Sequence, residues 1–300
     1  MSGSFARLIV LQCNIAMVGC SSASNDLCTR DEDCASGFCR ADGTCGPSPV
    51  DGGPDSDAPI DGSQLCAPNN DNQIALTELP LVAGRMATFR VALDPAFDTA
   101  GTSSGGGTRS WDLSGQLAND TDRTIALLSP TGTWWVASFP TATYAAPLSS
   151  ESTLLGVFAV DASALTLLGV VSPEAGAFRT ELAYDPPAKI LALPFGLTGT
   201  STWVSTSTVS GVAQGGIVAY SERYDSRVDH TGTMKTPYGE FPVLRVATDL
   251  DRTSGGATLS SRRSFTWVAE CFGSIATVSS QDFETSAEFT DPAEVRRLAP

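Results

Sequence analysis

The chain has 300 residues, with 33 acidic against 18 basic side chains and a single histidine, for a net charge of −15. Phosphate contact needs clustered Lys and Arg, so this balance argues against nucleic acid and against electrostatic docking on anionic lipid. One histidine also removes His-rich zinc sites.

Residues 1–19 hold one basic residue, Arg7, then an apolar run from Leu8 to Val18 and the small residue Gly19 before Cys20. The run falls far short of the roughly 20 residues needed to cross a bilayer, and predicts an export signal. The junction Met17-Val18-Gly19-Cys20 resembles the lipobox of bacterial lipoproteins. That resemblance implies removal of the signal peptide and acylation of Cys20 by chains such as palmitate, an anchor of ~0.8 kcal/mol per buried methylene. Ser21 and Ser22 follow Cys20 where Asp would imply inner-membrane retention, so the same resemblance implies the outer membrane, on its periplasmic or cell-surface face. The competing reading, an ordinary signal peptide, leaves Cys20 an odd thiol in an oxidising compartment.

Residues 20–45 form a cysteine-rich module. Cys28, Cys34, Cys39 and Cys45 lie within eighteen residues rich in turn formers, too few to bury a core. In an exported chain this is a framework of two disulfides with three connectivities open; the Cys-x2-Cys knuckles of a zinc site are missing. The pattern around Asp33-Cys34 and Ser36-Gly37-Phe38-Cys39 resembles the small module near the amino terminus of many Gram-negative surface lipoproteins, and distantly the Dickkopf-type repeat. By that resemblance Cys28 pairs with Cys39 and Cys34 with Cys45. Residues 46–63 repeat Pro, Gly and Asp with one Val and one Ile, and predict a disordered acidic tether.

From residue 64 to 300 the pattern becomes short Val, Thr, Ala, Leu and aromatic runs between Gly, Pro, Asn and Asp. Met86–Leu93 alternates with period two, and Thr133–Phe139 sets Trp135, Ala137 and Phe139 on one side. Further strands are expected over 154–160, 165–171, 177–183, 189–193, 202–209, 216–220, 241–248, 258–271 and 274–279. Residues 291–298, with an Asp-Pro start and Glu294 ahead of Arg296 and Arg297, predict a short terminal helix. The expected class is all-β, a single antiparallel sandwich or curved half-barrel. The clearest hairpin joins 228–235 to 240–248 through Thr236-Pro237-Tyr238-Gly239. The stretch Gly232 to Val246, with Trp111-Asp112-Leu113-Ser114 and Leu193–Gly199, resembles uncharacterised exported β-proteins of Gram-negative bacteria. Some of those look like half-barrels that cup lipid or another apolar ligand.

Chemistry is sparse. His230 sits in a strand without a Gly-x-Ser-x-Gly elbow, and its neighbour Asp229 should point to the opposite face. Asn69, Asp71 and Glu78 have EF-hand-like spacing and are weak calcium ligands, since Ala67 stands where the first acid belongs and no second helix follows. Trp111, Trp134 and Trp135 offer either a glycan-stacking platform or core packing, and alternation favours the core. Cys66 and Cys271, left over from the cluster, are expected to bond to each other, with Cys271 facing the same interior as Phe265, Trp267 and Ala269. The reading is a non-enzymatic lipoprotein with no cofactor, whose β-domain binds an envelope protein, glycan or lipid or serves envelope structure. A carrier of apolar ligand predicts a cavity inside the sheet, and a secreted hydrolase predicts paired acids or His230 with Ser and Asp in a cleft.

Overall fold

A computed structural model describes residues 66–150 and 152–300, within a unit that runs Leu65–Pro300. Cys20, Cys28, Cys34, Cys39, Cys45 and the 46–63 tether lie outside the described residues. The strands are β1 (Gln73–Ile74), β2 (Met86–Leu93), β3 (Thr102–Gly105), β4 (Thr108–Asp112), β5 (Thr121–Ala126), β6 (Tyr144–Pro147), β7 (Leu155–Val160) and β8 (Ala164–Val171). They continue with β9 (Glu181–Ala192), β10 (Phe195–Gly196), β11 (Thr202–Ala213), β12 (Gly216–Lys235), β13 (Glu240–Ser254), β14 (Ala257–Ala269), β15 (Gly273–Ser279) and β16 (Glu294–Leu298). The 3-10 turn Leu76–Glu78 is the one helical segment among the described residues.

β1 pairs with β10, and the other strands form one 14-stranded sheet ordered β5-β2-β16-β15-β14-β13-β12-β11-β9-β8-β7-β6. The two ends of this path meet. Leu128, just past β5, and Ala145 of β6 exchange backbone hydrogen bonds of 2.7 and 2.9 Å, so the sheet curls almost into a barrel. The expected class holds, in its curved form rather than as a sandwich. β3 and β4 lie off the path: β4 runs parallel to 232–235 of β12, taking the side that β11 leaves free. Its backbone presses so closely that a Cβ on Gly232 would sit 1.7 Å from the Arg109 carbonyl oxygen, and only glycine fits there.

The 228–248 hairpin forms, with Lys235 opposite Glu240, as the tip of a β12–β13 pair much longer than the sequence signals. Two expected elements change. Residues 133–139 are consecutive turns rather than a strand, and Trp135 and Phe139, four residues apart, bury against Leu155, Val157, Leu168 and Val171. Gly169 makes room for the Phe139 ring, which a Cβ would approach to 2.3 Å. Residues 294–298 are β16, not a helix, inserted between β15 and β2. The cause is tertiary: Val295 and Arg297 are fully buried on one face, and two neighbouring strands satisfy the backbone groups that a helix would have paired internally.

The sheet buries both faces over part of its width, while β11 leaves its outer face exposed. On the inner face Trp203, Val228, Leu244, Val246 and Val268 pack on Ile74 and Leu79 from the segment ahead of β2, with Leu81 beside them. On the outer face Phe265, Trp267 and Val278 are covered by Trp111, Leu113 and Phe289. Two buried arginines fasten that cover. Arg297 spans the Asp120 carboxylate at 2.6 and 2.9 Å and the carbonyls of Leu113 and Gly115. Replacing Arg297 by Met should cost about 3–5 kcal/mol in urea unfolding, because Asp120 is left buried without a counter-charge, and adding Asp120→Leu should recover part of the loss.

Cys66 and Cys271 are bonded, with Cα atoms 5.4 Å apart. Cys271 does not continue the buried row of Phe265, Trp267 and Ala269: β14 ends at Ala269, and Cys271 has φ of 68° in the turn to β15. There its N–H donates to the Glu78 carbonyl at 2.8 Å, so the bond and this contact together hold the entering chain against the turn. Loop closure over 205 residues gives about 5 kcal/mol as an upper figure. Cys66→Ser with Cys271→Ser should lower the melting temperature to that of the reduced protein. Non-reducing peptide maps should link these two peptides and neither to 28–45.

Candidate functional site

A cavity of about 360 Å³ lies inside the curled sheet. Its lining comes from β6, β7, β8, β9, β12, β13, β14 and β15, which can share one cavity only from the concave face. The wall is two-sided. Leu127, Ala146, Phe158, Leu165, Ile190 and Leu191 give an apolar side, and Thr248, Ser264, Thr266, Ser274 and Thr277 give a hydroxyl side. Leu148, also in the lining, is 40% exposed and marks where the cavity meets solvent. The hydroxyl side follows from strand period: Thr248 lies opposite Ser264 and Thr266 opposite Thr277, so inward positions of three adjacent strands carry the row.

Next to the cavity Tyr224 joins it to a buried carboxylate. Its hydroxyl donates to Glu222 Oε2 at 2.5 Å, and Arg252 Nε donates to Glu222 Oε1 at 2.6 Å. Glu222 is fully buried, and Ser207, its cross-strand partner, has an Oγ without a hydrogen bond among the described residues. Burial pushes the phenols of Tyr144, Tyr184, Tyr220 and Tyr224 above their ordinary value of about 10; the Glu222 charge is the next cause at Tyr220 and Tyr224.

His230 lies on the opposite face. A bulge between Val228 and His230 leaves Asp229 outside the ladder, so the two side chains sit together rather than on opposite faces, His230 Nδ1 being 3.3 Å from Asp229 Oδ1. Between them and Glu288 stands Arg245, fully buried. It donates to Asp229 at 2.8 and 2.9 Å, to Glu288 at 2.6 and 3.1 Å and to the Thr99 carbonyl at 2.7 Å. Its contact with His230 Nδ1 is 2.9 Å, and since a guanidinium has no acceptor the imidazole nitrogen must accept. Burial works to lower the Arg245 pKa, and the Asp229 and Glu288 hydrogen bonds outweigh it, so the net shift is upward. Asp229, His230 and Glu288 offer donor atoms within 4.8 Å of one another, the geometry of a metal site, but the guanidinium bonds to all three and already supplies the positive charge. The histidine is thereby spent on the outer core, edge-on to Trp111.

Of the calcium ligands expected from the sequence, Asn69 and Asp71 meet, Asn69 Nδ2 donating to Asp71 Oδ2 at 3.3 Å, and among the described residues no hydrogen bond joins Glu78 to either. Asn69 Oδ1 and Asp71 Oδ1 each accept from the backbone two residues on, at 2.9 and 2.8 Å, and the Glu78 carboxylate accepts from Ala75 N–H at 2.8 Å. These are turn and capping bonds. The indole rings of Trp111 and Trp135 are buried, and Trp134 is half-buried with its Nε1–H donated to the Ser172 carbonyl, so the tryptophans pack rather than form a platform. Sequence reasoning missed Glu222, Arg252 and the hydroxyl row; the strict alternation of Trp203, Ser205, Ser207 and Val209 was a local signal of an inward polar face. No protein-family model, no curated protein and no solved structure matches this chain.

The tyrosines set an alkaline limit. A folded-state pKa above the unfolded one gives stability that is complete below about pH 10 and lost as pH rises through the folded value. Unfolding free energy should therefore hold to about pH 9 and fall steeply above 10. In absorbance at 295 nm Tyr144, Tyr184 and Tyr224 should ionise together with unfolding, not before it.

Proposed function

We propose that this chain is a lipid-anchored envelope protein, held in the outer membrane through Cys20, whose β-domain is a container for a small apolar or amphipathic ligand. The single observation carrying this reading is the cavity of about 360 Å³ on the concave face of the sheet, walled on one side by leucine, isoleucine, alanine and phenylalanine. Cavities of about 300–1,000 Å³ suit small ligands, and apolar walls with a few polar groups are their usual lining. Binding is favoured over hydrolysis because the lining holds no carboxylate or histidine, and His230 is held on the other face by Arg245. Its location rests on residues 1–20 of the sequence, and a lipid-anchored carrier would meet its cargo at the membrane it is tethered to.

A ligand of about 20 non-hydrogen atoms at ~0.3 kcal/mol per atom gains about 6 kcal/mol, so dissociation constants in the tens of micromolar are expected. Nile red, an uncharged apolar dye, titrated into the full chain carrying Cys20→Ser should show saturable fluorescence in that range. Ala146→Phe, which places a ring in the cavity, should weaken binding at least tenfold with an unchanged circular dichroism spectrum. Dye binding that ignores this substitution, or none at all, would refute the container.

A further inference from the structure

The composition of the cavity wall says more than that the ligand is apolar. Resting on the container reading above, we infer that the ligand is an uncharged amphipathic molecule with hydroxyl or carbonyl oxygens along one edge, and not a free fatty acid or another ion.

Two observations carry this. First, no Asp, Glu, Lys, Arg or His lines the cavity. Glu222 is reached through Tyr224, and the cation beside it, Arg252, is already bonded to that carboxylate, while Arg296, whose Nη2 donates to the Leu148 carbonyl at the mouth at 2.7 Å, is already paired with Glu294. A carboxylate or ammonium headgroup entering the cavity would lose its water and find no counter-charge, which is costly in a low-dielectric interior.

Second, the hydroxyl side has unused capacity. Thr248 Oγ1 bonds to Ser226 Oγ at 2.9 Å, and Ser274 Oγ to Thr277 Oγ1 at 3.1 Å. Ser264 and Thr266, between them on β14, make no side-chain hydroxyl bond among the described residues. Each hydroxyl offers one donor and two acceptor positions, so this wall can both donate to a carbonyl and accept from an alcohol. Ser264 and Thr266 are two residues apart on one strand, which sets their spacing at about 7 Å along the wall. The facing wall of Ala146, Phe158, Leu165 and Ile190 is apolar apart from the hydroxyl of Tyr144. A ligand with one polar edge and one bare face satisfies both walls at once. A bare hydrocarbon would leave the hydroxyl row facing oil, and a polyol would bury its far side unpaired.

The test is a displacement assay on the same Cys20→Ser chain at pH 8, with Nile red bound and three ten-carbon competitors, 1-decanol, methyl decanoate and sodium decanoate. The alcohol and the ester should displace the dye at concentrations at least tenfold below that needed for decanoate. Ser264→Ala with Thr266→Val should weaken 1-decanol about fivefold, the fold-change of one net neutral hydrogen bond, and leave decanoate unchanged. Decanoate competing as well as the alcohol would overturn the inference even with the unsubstituted protein, so the result does not depend on the variant folding. Failure of Nile red itself to bind would sink the container reading instead, which keeps the two failures distinct.

Discussion

Twelve strands in one curled path enclose more space than their inward side chains can fill. An eight-stranded barrel is about the width at which inward side chains close the core; beyond it a lumen opens and must be filled or left. This chain fills part of it with its own entering segment. Ile74, Leu79 and Leu81 stand in for the opposite wall that the inner faces of β11, β13 and β14 would otherwise lack. The Cys66–Cys271 bond and the Cys271 N–H to Glu78 contact tie that segment to the β14–β15 turn, so the filling belongs to the sheet and not to a loose terminus. The remaining volume is the cavity. Its size is the difference between what twelve strands surround and what one short segment displaces.

The outer face meets the opposite difficulty, an apolar surface that must be covered by segments with little regular structure. Coverage is secured by charge. Arg245 draws together Thr99, Asp229 and Glu288, which are far apart in the chain, and Arg297 does the same for Leu113, Gly115 and Asp120. Buried ion pairs are poor sources of net stability, because desolvation offsets most of the attraction, but their geometry admits few alternatives. Each guanidinium accepts one arrangement of the strands and loops around it and makes the others expensive.

Much of this architecture was legible in particular residues. Met86–Leu93 and the Thr236-Pro237-Tyr238-Gly239 turn carry local signals, period two and turn chemistry, that neighbours reinforce. The pairing of Cys66 with Cys271 followed from leftover thiols in a chain whose sequence predicts export. Residues 291–298 misled because an Asp-Pro start and acid-before-base order suit a helix, while the decisive forces, β15 on one side and β2 on the other, are remote in sequence. Trp135 and Phe139 misled for a related reason: apolar residues spaced for one face of a strand or for one turn of irregular chain look alike over so short a run. The cavity was least legible. Its hydroxyl side reads as ordinary threonine-rich strand, and nothing local says that Ser264 and Thr266 face inward across from Leu165.

Asp229 separates two properties that usually travel together in a strand, length and charge. It is the extra residue of the bulge, with Val228 opposite Val246 and His230 opposite Arg245, so the ladder on either side would keep its facing if the residue were deleted. The sheet does not need it. Arg245 does, since Asp229 takes both Nε and one terminal nitrogen of the guanidinium. Between Asp225 and the bulge a one-residue deletion would swing Tyr224 and Glu222 out of the lumen and Arg223 and Asp225 into it, whereas here the same change would keep the facing of the ladder and be felt as the loss of two hydrogen bonds at Arg245, with Glu288 left as its carboxylate partner. At this position shortening the chain and neutralising a side chain would converge on one electrostatic defect.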